Sequence, residues 1–101
     1  MIRVSVLYPM TSGKKFYLEY YKKHHMPLVK EKLMPLKVEI DVGLPNNQNQ
    51  PSHYIAIGHM TFETMEQLVA SYGAAAQELH ADIPNYTDIE PIIQLSEVVE
   101  I

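Results

Sequence analysis

Three observations in this 101-residue chain predict an α+β fold. Four short segments rich in Val, Ile and Tyr carry the pattern of strands. Two longer segments carry the apolar period of amphipathic helices. Their order is β-α-β-β-α-β, which gives a four-stranded antiparallel sheet with two helices on one face, the ferredoxin-like arrangement.

The first strand runs from Ile2 to Tyr8, where Ile2, Val4, Val6 and Tyr8 alternate with Arg3, Ser5 and Leu7, and Pro9 stops it. Thr11 or Ser12 can cap the helix that follows, although Gly13 weakens its first turn. Along that helix Tyr17, Tyr21, His24 and Leu28 form one row, and Leu18, Tyr21, His25 and Leu28 form a second row beside it. His25 therefore faces the sheet with Tyr21, while His24 lies near the edge. Pro27 disfavours helical geometry at Met26, so a kink is expected there, with a short turn from Leu28 to Leu33 ended by Pro35.

Lys37 to Val42 alternates as a half-buried strand, and the polar loop 43–52 joins it to a third strand, Tyr54 to Phe62. Thr64-Met65-Glu66-Gln67 has the form of a capping box. The second helix then places Met65, Leu68, Val69, Tyr72, Ala76 and Leu79 on one stripe. Residues 82–88 form a turn-rich link. Ile92 to Val99 is nearly continuous apolar sequence and reads as a final, well-covered strand. Ile and Val in both registers of the strands leave the helix-free face in need of a cover, and a second copy of the chain would supply it as a homodimer.

The composition narrows the function. A chain of this length is expected to form a single domain spanning 1–101. There is no cysteine, so neither a disulfide nor a cysteine-ligated zinc can hold the chain together, which fits a reducing cytoplasm. No apolar run reaches the roughly 18 residues of a membrane helix, and the strand-like N-terminus does not read as a signal peptide. All eight basic residues lie at or before Lys37, opposed there only by Glu19 and Glu31, so residues 1–37 carry +6 and the rest −10. This split describes either two solvated helix faces of opposite sign side by side, or a basic patch that steers an anion toward His25. The acidic balance and the lack of a recognition motif speak against nucleic-acid binding.

Tyr8-Pro9, Phe16, Tyr20-Tyr21, His25-Met26-Pro27-Leu28, Tyr54-Ile55-Ala56, Phe62 and the run Ala81-Asp82-Ile83-Pro84-Asn85-Tyr86-Thr87 together resemble the EthD-like family. That family takes its name from a protein required in bacterial breakdown of ethyl tert-butyl ether. The resemblance spans nearly the whole chain and implies the dimeric α/β-barrel superfamily, in which two ferredoxin-like subunits pack their sheets together. Relatives in that superfamily include isomerases, polyketide cyclases, dehydratases, cofactor-free monooxygenases and haem enzymes, a breadth that assigns no single reaction.

His25 is the candidate catalytic residue, since an imidazole shielded beside aromatic rings suits a general acid or base near neutral pH. The competing reading is a helix-end histidine bonded to a carbonyl. Lys22 and Lys23 would favour its neutral form, and a helix C-terminus its charged form. Asp82 could orient His25 and Asn85 could hold a substrate carbonyl, or both could serve as turn and cap residues. Tyr8, Tyr21, Tyr54 and His59 complete the candidate substrate-binding set, with core packing as their alternative role. No metal-binding motif occurs, and no metal or cofactor is expected. The expected activity is cofactor-independent isomerisation, cyclisation or dehydration of a hydrophobic oxygenated small molecule. The alternative is a non-catalytic ligand-binding or accessory protein supporting an oxygenase system, and a haem-linked oxidative role is a third reading.

Overall fold

The computed structural model covers residues 1–101 and contains the four strands and two helical segments in the expected order. Strands β1 (Ile2–Pro9), β2 (Lys37–Val42), β3 (Tyr54–Phe62) and β4 (Ile92–Glu97) form one antiparallel sheet in the order β2-β3-β1-β4. In register, Val4 lies between Met60 and Leu95, and Val6 between Gly58 and Ile93. These residues share the face that carries the helices, and there Val4, Tyr8, Met60 and Phe62 pack with residues of both helices in the core. Arg3, Ser5 and Leu7 point to the opposite face, as do their β3 partners Thr61, His59 and Ile57.

The first helical segment departs from expectation at both its start and its proline. It begins at Leu18 rather than near Thr11, and no side chain caps it. The Thr11 hydroxyl donates instead to the Pro9 carbonyl. The residues that follow are tied sideways to the link before β4. Lys15 N–H donates to Asp88 Oδ1 at 2.8 Å, the Thr87 hydroxyl donates to the Lys15 carbonyl at 2.7 Å, and Tyr17 N–H donates to the Tyr86 carbonyl at 2.7 Å. Backbone donors satisfied across the chain in this way have no need of an earlier helix.

Nor does the chain break at Pro27. Met26 keeps helical angles (φ −68°, ψ −35°), and the helix continues from Met26 to Leu33. Across Tyr21–His25 the turn is widened, with Met26 N–H donating to the Tyr21 carbonyl five residues back. Proline has no N–H, and its ring crowds the carbonyl four residues before it, so a wide turn just upstream accommodates it without a break. The wide turn also offsets the drift of an ordinary helix, in which residues spaced by four slip gradually around the axis. Tyr21, His25, Val29 and Leu33 are accordingly all buried.

The second helix, Met65–Asp82, is capped as its sequence predicts: the Thr64 hydroxyl oxygen accepts from Gln67 N–H at 3.2 Å. The return arm from the Gln67 side chain reaches Glu63 N–H, one residue earlier than in the standard box. Lys32 meets Glu78 at 3.5 Å, so the opposite charges of the two halves do face each other between the helices. Two expectations for the strands need correction. Pro9 belongs to β1 and pairs with Tyr54 across an irregularity in register. β4 ends at Glu97 and lies at the sheet edge, with Ile92, Ile93 and Leu95 half or more exposed rather than well covered.

Candidate functional site

Between the sheet and the helices lies a cavity of 520 Å³. Val4, Val6 and Tyr8 of β1 form its floor, Ile93 and Leu95 of β4 one wall, and residues of the second helix the other. Apolar and tyrosine side chains make up most of the lining, and the only imidazoles on it are those of His25 and His80.

His25 is 6% exposed, held between the stacked ring of Tyr21 (15° between planes, centroids 5.8 Å apart) and the ring of Tyr86 at 4.6 Å. Its Nδ1 lies 2.9 Å from Asp82 Oδ2. Asp82 is fixed in turn: the Tyr20 hydroxyl donates to Oδ1 at 2.6 Å and Asn85 Nδ2 donates to the same oxygen at 3.0 Å. The second helix delivers Asp82 at its last residue, and the short turn Ile83–Asn85 brings Asn85 back toward it.

The electrostatics agree with this geometry. Burial pushes the His25 pKa below the ordinary imidazole value, and the bond and charge of Asp82 only partly restore it. Burial would raise the Asp82 carboxyl, but hydrogen bonds from Tyr20, Asn85 and His25 outweigh it and hold its pKa below the usual range. At neutral pH the pair is thus an ionised carboxylate accepting from the Nδ1–H of a neutral imidazole. That tautomer leaves a lone pair on Nε2. Nε2 makes no protein hydrogen bond and is not sealed from solvent, while the ring lines the cavity.

Lys22 and Lys23 have no part in this tuning. Both are exposed and pair with Glu19 on their own helix, at 3.2 and 3.6 Å. They form a solvated face rather than a basic patch beside His25.

The predicted site residues divide into two groups. Tyr8, Tyr21, His25, Asp82 and Asn85 come together. The Tyr8 hydroxyl is 2.6 Å from that of Tyr86, and both rings pack edge to face with Phe16. Burial raises the pKa of Tyr8, Tyr21 and Tyr86, so all three remain neutral phenols. Tyr21 and Asp82 support His25 from behind without lining the cavity.

Tyr54 and His59 stand apart from this group. Tyr54 borders a separate shallow recess of 230 Å³ with Asp41, Ser52 and His53. His59 is on the helix-free face, where Nδ1 is 2.9 Å from the Ser5 hydroxyl and Nε2 is 2.8 Å from Asp41 Oδ2. Strand alternation already separates His59 from Tyr8, because its partner across the sheet is Ser5.

Sequence reasoning missed Tyr20 and Tyr86. Tyr20 reaches Asp82 only because the two helices pack side by side, a contact without local signature. Tyr86 had one available clue, an aromatic residue inside a turn-rich polar link.

Comparison with known proteins gives the chain its place. A model of the EthD domain matches residues 11–90. An EthD-like protein of Ralstonia eutropha JMP134, known from its crystal structure, is 35% identical with a TM-score of 0.92, covering 98% of this chain and 92% of the other. An ethyl tert-butyl ether degradation (EthD) family protein of Bacillus halodurans C-125 shares 14% identity with a TM-score of 0.70, over 98% of this chain and 99% of that one. A protein of Arabidopsis thaliana shares 20% identity, again with a TM-score of 0.70, over 100% and 98%. The last two likenesses concern the fold alone. No curated protein matches the sequence significantly. Matched over most of its length by the domain model, the chain belongs to the EthD family.

Proposed function

We propose that the protein is a cofactor-independent acid–base enzyme acting on a hydrophobic, oxygenated small molecule bound in the 520 Å³ cavity. The observation that carries this reading is the His25–Asp82 pair, a neutral imidazole oriented by a half-buried carboxylate at the wall of an apolar cavity. His25 Nε2 would take a proton from the substrate. The imidazolium so formed is stabilised by Asp82, which keeps its charge, and the proton is returned at another position or to a leaving oxygen. Isomerisation, cyclisation and dehydration all share this step. The apolar walls would exclude water and hold the hydrocarbon body of the substrate.

The same walls favour a second reading, a carrier that holds such a molecule without changing it, as an accessory to an oxygenase. Mass spectrometry of ligands retained through native purification, followed by incubation with the candidates found, separates the two. Turnover that drops roughly a hundredfold or more in His25→Ala supports the enzyme. A retained ligand that is never converted supports the carrier. Unchanged turnover in His25→Ala removes His25 from catalysis.

We also infer a homodimer formed through the helix-free sheet face, since the row of Ile57, Leu7 and Ile92 across three strands is apolar and otherwise faces water. No helix is long and apolar enough to cross a membrane. With no cysteine in the chain, the reducing cytoplasm is its fitting compartment.

A further inference from the structure

His25 is one of two imidazoles on the cavity lining, and the other has a built partner of its own. His80 Nε2 lies 2.6 Å from the Tyr72 hydroxyl, the two rings meet edge to face at 5.8 Å, and both residues line the cavity. They stand two turns apart on the second helix, so the bond bridges its surface at the cavity mouth, where Tyr72 is 37% exposed. Around that helix His80 and Asp82 point about 200° apart, so the His25–Asp82 pair and the Tyr72–His80 pair occupy different sides of its last turns. Most of the remaining lining is hydrocarbon, including Val4, Val6, Leu79, Ile83 and Ile93.

A cavity with hydrogen-bonding groups at two separate places and otherwise mainly hydrocarbon walls matches a particular ligand shape. We infer that the substrate carries two oxygen functions on an apolar body, one engaged by His25 and the other by the Tyr72–His80 pair. The inference rests on the cavity being the binding site, as proposed above, and deepens that reading by naming the substrate class and two specificity-determining residues. In one tautomer the Tyr72 hydroxyl donates to His80 Nε2 and its oxygen can accept from a ligand hydroxyl. In the other, His80 Nε2–H donates to the Tyr72 oxygen, and the hydroxyl proton is free to donate to a carbonyl. Their hydrogen bond holds both groups in place before the ligand arrives, which lowers the ordering cost of binding.

The test uses two rigid probes that differ by one hydroxyl, 4-phenylphenol and 4,4′-dihydroxybiphenyl, titrated calorimetrically into the full chain. The wild type is expected to bind the dihydroxy probe about fivefold more tightly, the worth of one net hydrogen bond. Tyr72→Phe and His80→Gln, both at exposed positions, should each abolish that preference by weakening the dihydroxy probe more than 4-phenylphenol. His25→Ala should weaken both probes alike. Equal affinity of the wild type for the two probes, or a preference that survives Tyr72→Phe, overturns the inference and leaves the cavity reading standing. If neither probe binds, both readings fall together.

Discussion

At the scale of single residues, the proposed chemistry depends on one imidazole whose environment sets its charge. His25 is buried against Tyr21 and Tyr86, which disfavours imidazolium, and Asp82 pulls weakly the other way. Its titration, followed by NMR of the ring carbon-bound protons, should have a midpoint below the ordinary imidazole value of 6.5. Asp82→Asn removes the carboxylate charge that favours imidazolium, so the midpoint should fall further; a rise would refute this account of the pair. The sign for stability follows. As the pH drops below 6.5 the unfolded chain takes up a proton that the folded site resists, so acidification through this range weakens folding. The inward placing of His25 was legible in the sequence, because a histidine one turn from Tyr21 on an apolar row has few other places to go. Tyr20, its indirect support through Asp82, was not legible, since the two residues lie 62 positions apart.

At the scale of elements, the first helical segment presents the site by fitting a wide turn around Pro27 and by bringing Tyr21 down onto β3. The Tyr21 ring reaches the sheet at Gly58, where a Cβ would collide with its hydroxyl and also press the Met26 side chain. Tyr21 is 1% exposed and has no room to retreat. Gly58→Ala should therefore destabilise the fold by about 1–3 kcal/mol through overpacking, seen as a lower Tm, and should tilt the ring on which His25 stacks. A Tm equal to that of the wild type would mean the ring can move aside. Periodicity located this helix, but its sequence suggested an early cap at Thr11 or Ser12 and a kink out of helical geometry at Met26. Both expectations failed for one physical reason: local preference yields where the tertiary structure satisfies the same backbone groups in another way. Asp88, Thr87 and Tyr86 take up the chain around Lys15 and Tyr17, and the wide turn absorbs the proline.

At the scale of the whole molecule, the sheet separates two sets of polar groups. The face with the helices holds His25 and its cavity. The other face holds the chain of contacts Ser5, His59 and Asp41 beside apolar Leu7, Ile57 and Ile92. If that second face is a dimer interface, a charge in its apolar row should break it. Ile57→Lys is expected to shift the protein from twice the monomer mass to the monomer mass in sedimentation, with the fold retained by circular dichroism. A wild type that sediments as a monomer at high concentration would dispose of the dimer.

The sequence by itself determined the order of elements, the strand register that puts Val4, Val6 and Tyr8 on one side, the capped second helix and the placing of Tyr21 and His25 on one face. All of these follow from local periodicity and capping, which act over a few residues. Only the tertiary structure decided that Asp82 meets His25, that Tyr54 lies away from it, and that Tyr72 and His80 share its cavity. Those relations depend on how helices and sheet pack across long stretches of chain. That packing is set by burial of the whole apolar surface and leaves no mark at any one position.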